Sequence, residues 1–176
     1  MADASPESSG PPGPCHNSPV PRRTSAAARL RHVALAALAL VLVQAGLGMI
    51  ANLYVTVPDH HPGARPANYL TGSWHSVAWA IGHGAPALAI HAALGLALAV
   101  LVVGVAARTF VIASRPVRAW SVLAALFVVG AGFNGASFLD FGNNISSLIM
   151  ALLAFGAVAC YAVVLYLLGQ AVSPAR

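Results

Sequence analysis

The stretch VALAALALVLVQAGLGMIANLYVTV, residues 33–57, decides the fold. It contains no Asp, Glu, Lys or Arg, and its 25 residues exceed the roughly 20 that an apolar helix needs to cross a hydrocarbon core about 30 Å thick. Three further apolar runs follow, at 86–107, 117–139 and 146–168. Together the four runs predict an all-α integral membrane protein, built as an antiparallel four-helix bundle.

Composition agrees with this class. Of 176 residues, 59% are hydrophobic and 7% are charged, and the mean hydropathy is +0.78, whereas a soluble domain carries about 25% charged residues. We predict one four-span membrane domain at 29–172, a disordered cytoplasmic tail at 1–28 and a short cytoplasmic end at 173–176. A secretory signal is the alternative for the first run, but that run is longer than the 7–15 residues of a signal core.

The basic residues indicate the orientation. All nine are arginines, giving a net charge of +5, and only Arg65 lies in the first inter-span loop. The other eight precede the first run, separate the second from the third, or end the chain: Arg22, Arg23, Arg29, Arg31, Arg108, Arg115, Arg118 and Arg176. The positive-inside rule therefore predicts a plasma-membrane protein with both termini in the cytoplasm, and lipid rather than nucleic acid as its charged partner.

The two cysteines fit that orientation. Cys15 lies in the predicted tail and Cys160 in the inner half of the fourth run. Because neither would face an oxidising compartment, we expect no disulfide.

The first outer loop, 58–85, is long and unusual. It holds Asp59-His60-His61-Pro62-Gly63 and then a stretch, 73–81, with two tryptophans. Tryptophan favours the membrane–water interface, so this stretch predicts a short interfacial helix. The second outer loop, 140–145, is very short, so the third and fourth runs are predicted to form a hairpin.

Polar residues recur at one depth in the four runs. Asn52, His91, Asn134 and Met150 each lie four or five residues from the outer end of their run, about 6–8 Å below the boundary. Gln44 shares a helix face with Asn52. Because polar groups are costly in lipid, these faces should point inward and line a polar cavity. Alternatively, the same side chains only bind helices together, with hydrogen bonds worth about 0.6–2 kcal/mol each.

Histidines concentrate on the outer side. Imidazole and carboxylate are common metal ligands, so His60, His61, His75 and Asp140 form a predicted outer metal site. The alternative is a solvated turn at His60-His61-Pro62-Gly63, because the spacing is not a metal signature. His91 is the predicted axial ligand for a b-type haem, and the candidates opposite it are Met150 or a histidine of the outer loop.

The segments 43–48 (VQAGLG) and 90–95 (IHAALG), separated by a Pro-containing outer loop, resemble one half of the haem A synthase family. The resemblance covers about residues 40–100. It implies a four-helix half-bundle in which the histidine at the position of His91 binds haem, or one that retains only the scaffold. Such a half-bundle also predicts a homodimer.

Three functions remain open from the sequence. The first is a ligand-binding membrane protein with haem at His91, and the second is a non-catalytic accessory or structural membrane subunit with a membrane-protein partner. The third is a small transporter for a metal or another solute. The sequence has no nucleophile elbow, Walker loop or metalloprotease motif. Any enzymatic activity would therefore be that of a haem-dependent membrane oxidoreductase.

Overall fold

The computed structural model describes residues 22–170, with side chains from Ser25 onward. This part of the chain folds into five helices joined by short connections and one longer loop. They are α1 (Arg22–Tyr54), α2 (Tyr69–His83), α3 (Pro86–Ile112), α4 (Arg115–Phe141) and α5 (Asn144–Gln170).

Local chemistry sets several of the helix ends. Pro86 occupies the first turn of α3, where its missing N–H costs no helical bond. The side chain of Asn68 accepts a hydrogen bond from the backbone N–H of Thr71 and so caps the start of α2. Gly142 ends α4 in the left-handed conformation, at φ 63°, and its N–H donates to the carbonyl of Phe138.

The four long helices pack around one apolar core. α1 and α4 each pack against both α3 and α5, and α2 packs against α3 and α4. Many of the core positions are small, including Ala34, Ala37, Ala124 and Ala157, and all four are completely buried. Small side chains let helix backbones approach closely, which matters where lipid supplies no hydrophobic drive for association.

The outer faces of the same helices are apolar as well. Leu53, Val100 and Phe155 are each about two-thirds exposed, at 66%, 70% and 67%. Exposed apolar surface this extensive is unusual in a soluble monomer. All four long helices have the length and composition needed to cross a bilayer. The chain therefore has the features of a multi-pass membrane protein.

The predicted elements are present, with shifted boundaries. The predicted short helix at 73–81 is α2, which is longer at both ends. Residues 22–28, assigned to the tail, belong to α1, where Ala26–Ala28 have high helix propensity. α1 ends at Tyr54 rather than Val57, because a residue before proline disfavours the helical conformation. Residues 1–21 and 171–176 lie outside the described residues.

Candidate functional site

Polar side chains of α1 and α3 contact each other's helix in both directions. Gln44 Nε2 donates a 2.8 Å hydrogen bond to the backbone carbonyl of His91, 47 residues away in the chain. The His91 imidazole in turn interacts with the backbone of Gln44. Each of these half-buried side chains therefore contacts the main chain of the other helix.

Two glycines make room for this pair. A Cβ added at Gly48 would lie 2.9 Å from His91 Cε1, and one added at Gly95 would lie 2.7 Å from Gln44 Nε2. On both helices the glycine follows the polar residue by four positions, so the two share one helix face. Each polar side chain thus lies in a notch formed by a glycine of the opposite helix. We call Gln44, Gly48, His91 and Gly95 the α1–α3 clasp.

Two atoms of the clasp have no hydrogen-bond partner among the described residues. They are Gln44 Oε1 and His91 Nδ1, and both are buried. An axial haem ligand needs a ring nitrogen that faces open space for a macrocycle. The His91 ring instead fills the notch at Gly48 and contacts α1. In this arrangement the residues of the clasp do not fit haem.

The other predicted pocket residues contact different partners. Ser147 Oγ of α5 donates to Asn52 Oδ1 of α1 at 3.1 Å, whereas Asn134 Nδ2 donates to the carbonyl of Gly130 in its own helix at 2.9 Å. The sulfur of Met150 lies 3.3 Å from where a Cβ of Gly135 would be. Of the five predicted cofactor residues, these contacts bring together Gln44 and His91.

The first outer loop closes over the end of α4. His61 Nε2 lies 3.1 Å from the carbonyl of Leu139, and the backbone N–H of Arg65 donates to the carbonyl of Asp140 at 2.9 Å. The His61 ring also stacks on Trp79 of α2, with ring centroids 4.5 Å apart. The last carbonyls of a helix have no partner within it, so the loop supplies partners that α4 lacks.

α2 is bound to the same end of α4 by side chains. Ser73 Oγ donates a 2.8 Å hydrogen bond to Asp140 Oδ2, and both residues are buried. The Tyr69 hydroxyl donates to the carbonyl of Phe133 at 2.8 Å. Sequence reasoning missed Ser73. The available signal was the pair Ser73 and Ser76, three positions apart in a stretch of otherwise apolar and aromatic character.

The predicted metal ligands are placed as follows. His60 and His75 are exposed, His61 contacts Leu139 and Trp79, and Asp140 accepts from Ser73. Among the described residues, no three side chains of His, Cys, Asp or Glu form a group that could hold a metal ion. A site made of these four residues stays a prediction without a ligand cluster to support it.

Removing the amide of Gln44 tests the clasp. Gln44→Met keeps the length of the side chain and loses the hydrogen bond to α3, so we expect the free energy of unfolding to fall by about 1 kcal/mol. Asn134→Leu is the control, because its bond stays within α4 and its loss should cost less. Reversible unfolding in mixed micelles measures both, and equal losses would contradict a special role for the clasp.

Comparisons of this chain with protein-family models, with curated proteins and with solved structures give no match.

Proposed function

We propose that this chain is a non-catalytic structural subunit of a membrane protein assembly. Its four long helices cross the plasma membrane as an antiparallel bundle. The observation that carries the proposal is the α1–α3 clasp, in which the polar side chains of two apolar helices bind each other's main chain. Polar residues used in this way fix the relative position of the helices.

The physical need for such contacts supports the proposal. Lipid tails are as apolar as leucine, so apolar surface alone gives two spans no preferred register. A hydrogen bond across the interface, with a glycine notch on each side, defines one register. The bond from Ser147 to Asn52 does the same for α1 and α5, and that from Ser73 to Asp140 joins α2 to α4. The result is a rigid bundle whose apolar outer faces are available to lipid and to a protein partner.

The arginines support an orientation with both chain ends in the cytoplasm. Arg31 of α1 and Gln170 of α5 line one groove, so the start of α1 and the end of α5 lie at the same end of the bundle. Arg118 packs its guanidinium over the Phe110 ring, 4.9 Å from the centroid, and donates to the carbonyl of Phe110. Basic groups next to spans favour the cytoplasmic side.

Cysteine labelling tests this topology. With Cys15 replaced by serine, Ala67→Cys and Asn144→Cys should react with a membrane-impermeant maleimide in intact cells, because both positions are exposed and belong to the predicted outer side. Ser114→Cys, in the connection between α3 and α4, should react only after the cells are permeabilised. Labelling of Ala67→Cys and Asn144→Cys from opposite sides would contradict four spans with both ends inside.

An absorption spectrum and a measurement of the mass of the native complex test the structural role. The protein, expressed with haem precursor and extracted from native membranes in mild detergent, should show no Soret band. It should also migrate as a discrete complex larger than the 17.9 kDa chain. The complex would contain either a second copy or another membrane protein, and mass spectrometry of the isolated band separates the two.

Two results would overturn the proposal. One is a Soret and α-band pair that disappears in His91→Ala, with the Gln44→Met variant as a control for general loss of packing. That result would establish haem binding at the clasp. The other is a protein that is monomeric in native membranes under cross-linking from every exposed helix face, because a structural subunit requires a partner.

A further inference from the structure

Asp140 is a buried carboxylate that has no countercharge among the described residues. It is 2% exposed, and Ser73 supplies its one side-chain hydrogen bond, to Oδ2. Oδ1 is buried without a partner, and among the described residues no arginine or histidine forms an ion pair with the carboxylate. Burial of an unpaired charge is costly. Asp140 also lies in the last turn of α4, at the negative end of the helix dipole, which adds to that cost.

A second orphan oxygen lies about one helical turn further along α2 from Ser73. Ser76 follows Ser73 by three positions on α2, so both are on one helix face. Ser76 is completely buried, and within residues 22–170 its hydroxyl has no hydrogen-bond partner. It lies beside Gly63, where an added Cβ would meet Ser76 Oγ. The outer loop, α2 and the end of α4 therefore enclose a carboxylate and two hydroxyls.

We propose that Asp140, Ser73 and Ser76 bind a sodium ion at the end of α4. The donors are all oxygen, which suits a hard cation rather than a transition metal. One carboxylate balances one positive charge, which favours a monovalent ion. Carbonyl-rich C-terminal ends of helices supply further oxygen ligands for sodium in membrane transporters. This site shares Asp140 with the predicted histidine site but has oxygen ligands alone, and it does not depend on the structural role proposed above.

The charged and titratable groups of the segments that pack on the end of α4 come from two elements. The outer loop contributes Arg65, whose backbone N–H donates to the Asp140 carbonyl. It also contributes His61, whose Nε2 contacts the carbonyl of Leu139, the residue before Asp140. α2 contributes His75, which is exposed.

The test is thermal unfolding of the full chain in a non-ionic detergent. Sodium chloride replaces choline chloride at constant ionic strength, and tryptophan fluorescence reports unfolding because Trp79 lies on His61 beside the site. We expect the melting temperature to rise with sodium concentration, by about 3–6 °C at ten times the Kd. Asp140→Asn keeps an acceptor for Ser73 but removes the charge, and it should abolish the rise.

Two further variants make the result specific. Ser76→Ala leaves the Ser73–Asp140 bond intact, so it should fold and bind sodium at least tenfold more weakly. Asp59→Asn removes an exposed outer carboxylate and should respond as the wild type does. The proposal fails if choline and sodium give equal stability in the wild type, if Ser76→Ala responds fully, or if calcium but not sodium stabilises.

Discussion

Gly63→Ala is expected to lower the free energy of unfolding by about 3 kcal/mol, one of the two largest effects anticipated for a single substitution in this chain. Gly63 has φ 96°, a backbone conformation that residues with a Cβ rarely adopt. A left-handed conformation costs a residue with a Cβ about 1–2 kcal/mol. The new methyl would also meet the carbonyl of Gly72 and the hydroxyl of Ser76, and overpacking of this kind costs about 1–3 kcal/mol more.

Gly142→Ala is the matched control. Gly142 also has a positive φ, of 63°, but no atom of the described part of the chain lies within 4 Å of an added Cβ. Gly142→Ala should therefore lower the free energy of unfolding by the conformational cost alone, about 1 kcal/mol. Unfolding of the two variants in mixed micelles, followed by tryptophan fluorescence, separates strain from crowding. Equal losses at the two sites would show that the outer loop does not pack on α2 as described.

Much of this fold could be predicted from the sequence, because length and hydropathy are sufficient to identify apolar helices. The four long helices and α2 all appear where the runs and the tryptophan stretch indicate them. The facing sides of α1 and α3 were also predictable, because on each helix a glycine follows the polar residue by four positions. These pairs are Gln44 with Gly48 and His91 with Gly95. Those two faces do meet, in the α1–α3 clasp.

The partners of the polar residues were not predictable in the same way. A 1.5 Å rise per residue gives the depth of a side chain, but not the rotation of its helix against a neighbour. Asn134 illustrates this, because it was predicted at the depth of His91 yet bonds to its own helix. The contacts of the outer loop depend on groups far apart in sequence, such as His61 and Leu139, 78 residues apart. No local pattern encodes such a pairing.

Gly48→Leu is expected to have an effect as large as that of Gly63→Ala, through the clasp rather than the loop. The His91 ring occupies the space that a side chain at position 48 would need, since even a Cβ would lie 2.9 Å from Cε1. Leucine must either expel the imidazole or push α1 away from α3. Expelling the imidazole breaks its contact with the Gln44 backbone, and separating the helices also breaks the hydrogen bond from Gln44 Nε2 to the His91 carbonyl, so we expect a loss of about 3 kcal/mol.

Gly46→Leu provides the control on the same helix. Gly46 is exposed and no described residue has an atom within 4 Å of an added Cβ, so leucine there should change stability by less than about 0.5 kcal/mol. The comparison also bears on the proposed function. If the bundle is a subunit of an assembly, Gly48→Leu should reduce recovery of the complex in proportion to the loss of fold. If Gly48→Leu and Gly46→Leu are equally stable, then α1 and α3 do not meet through these residues, and the polar side chains of the spans become available for a ligand.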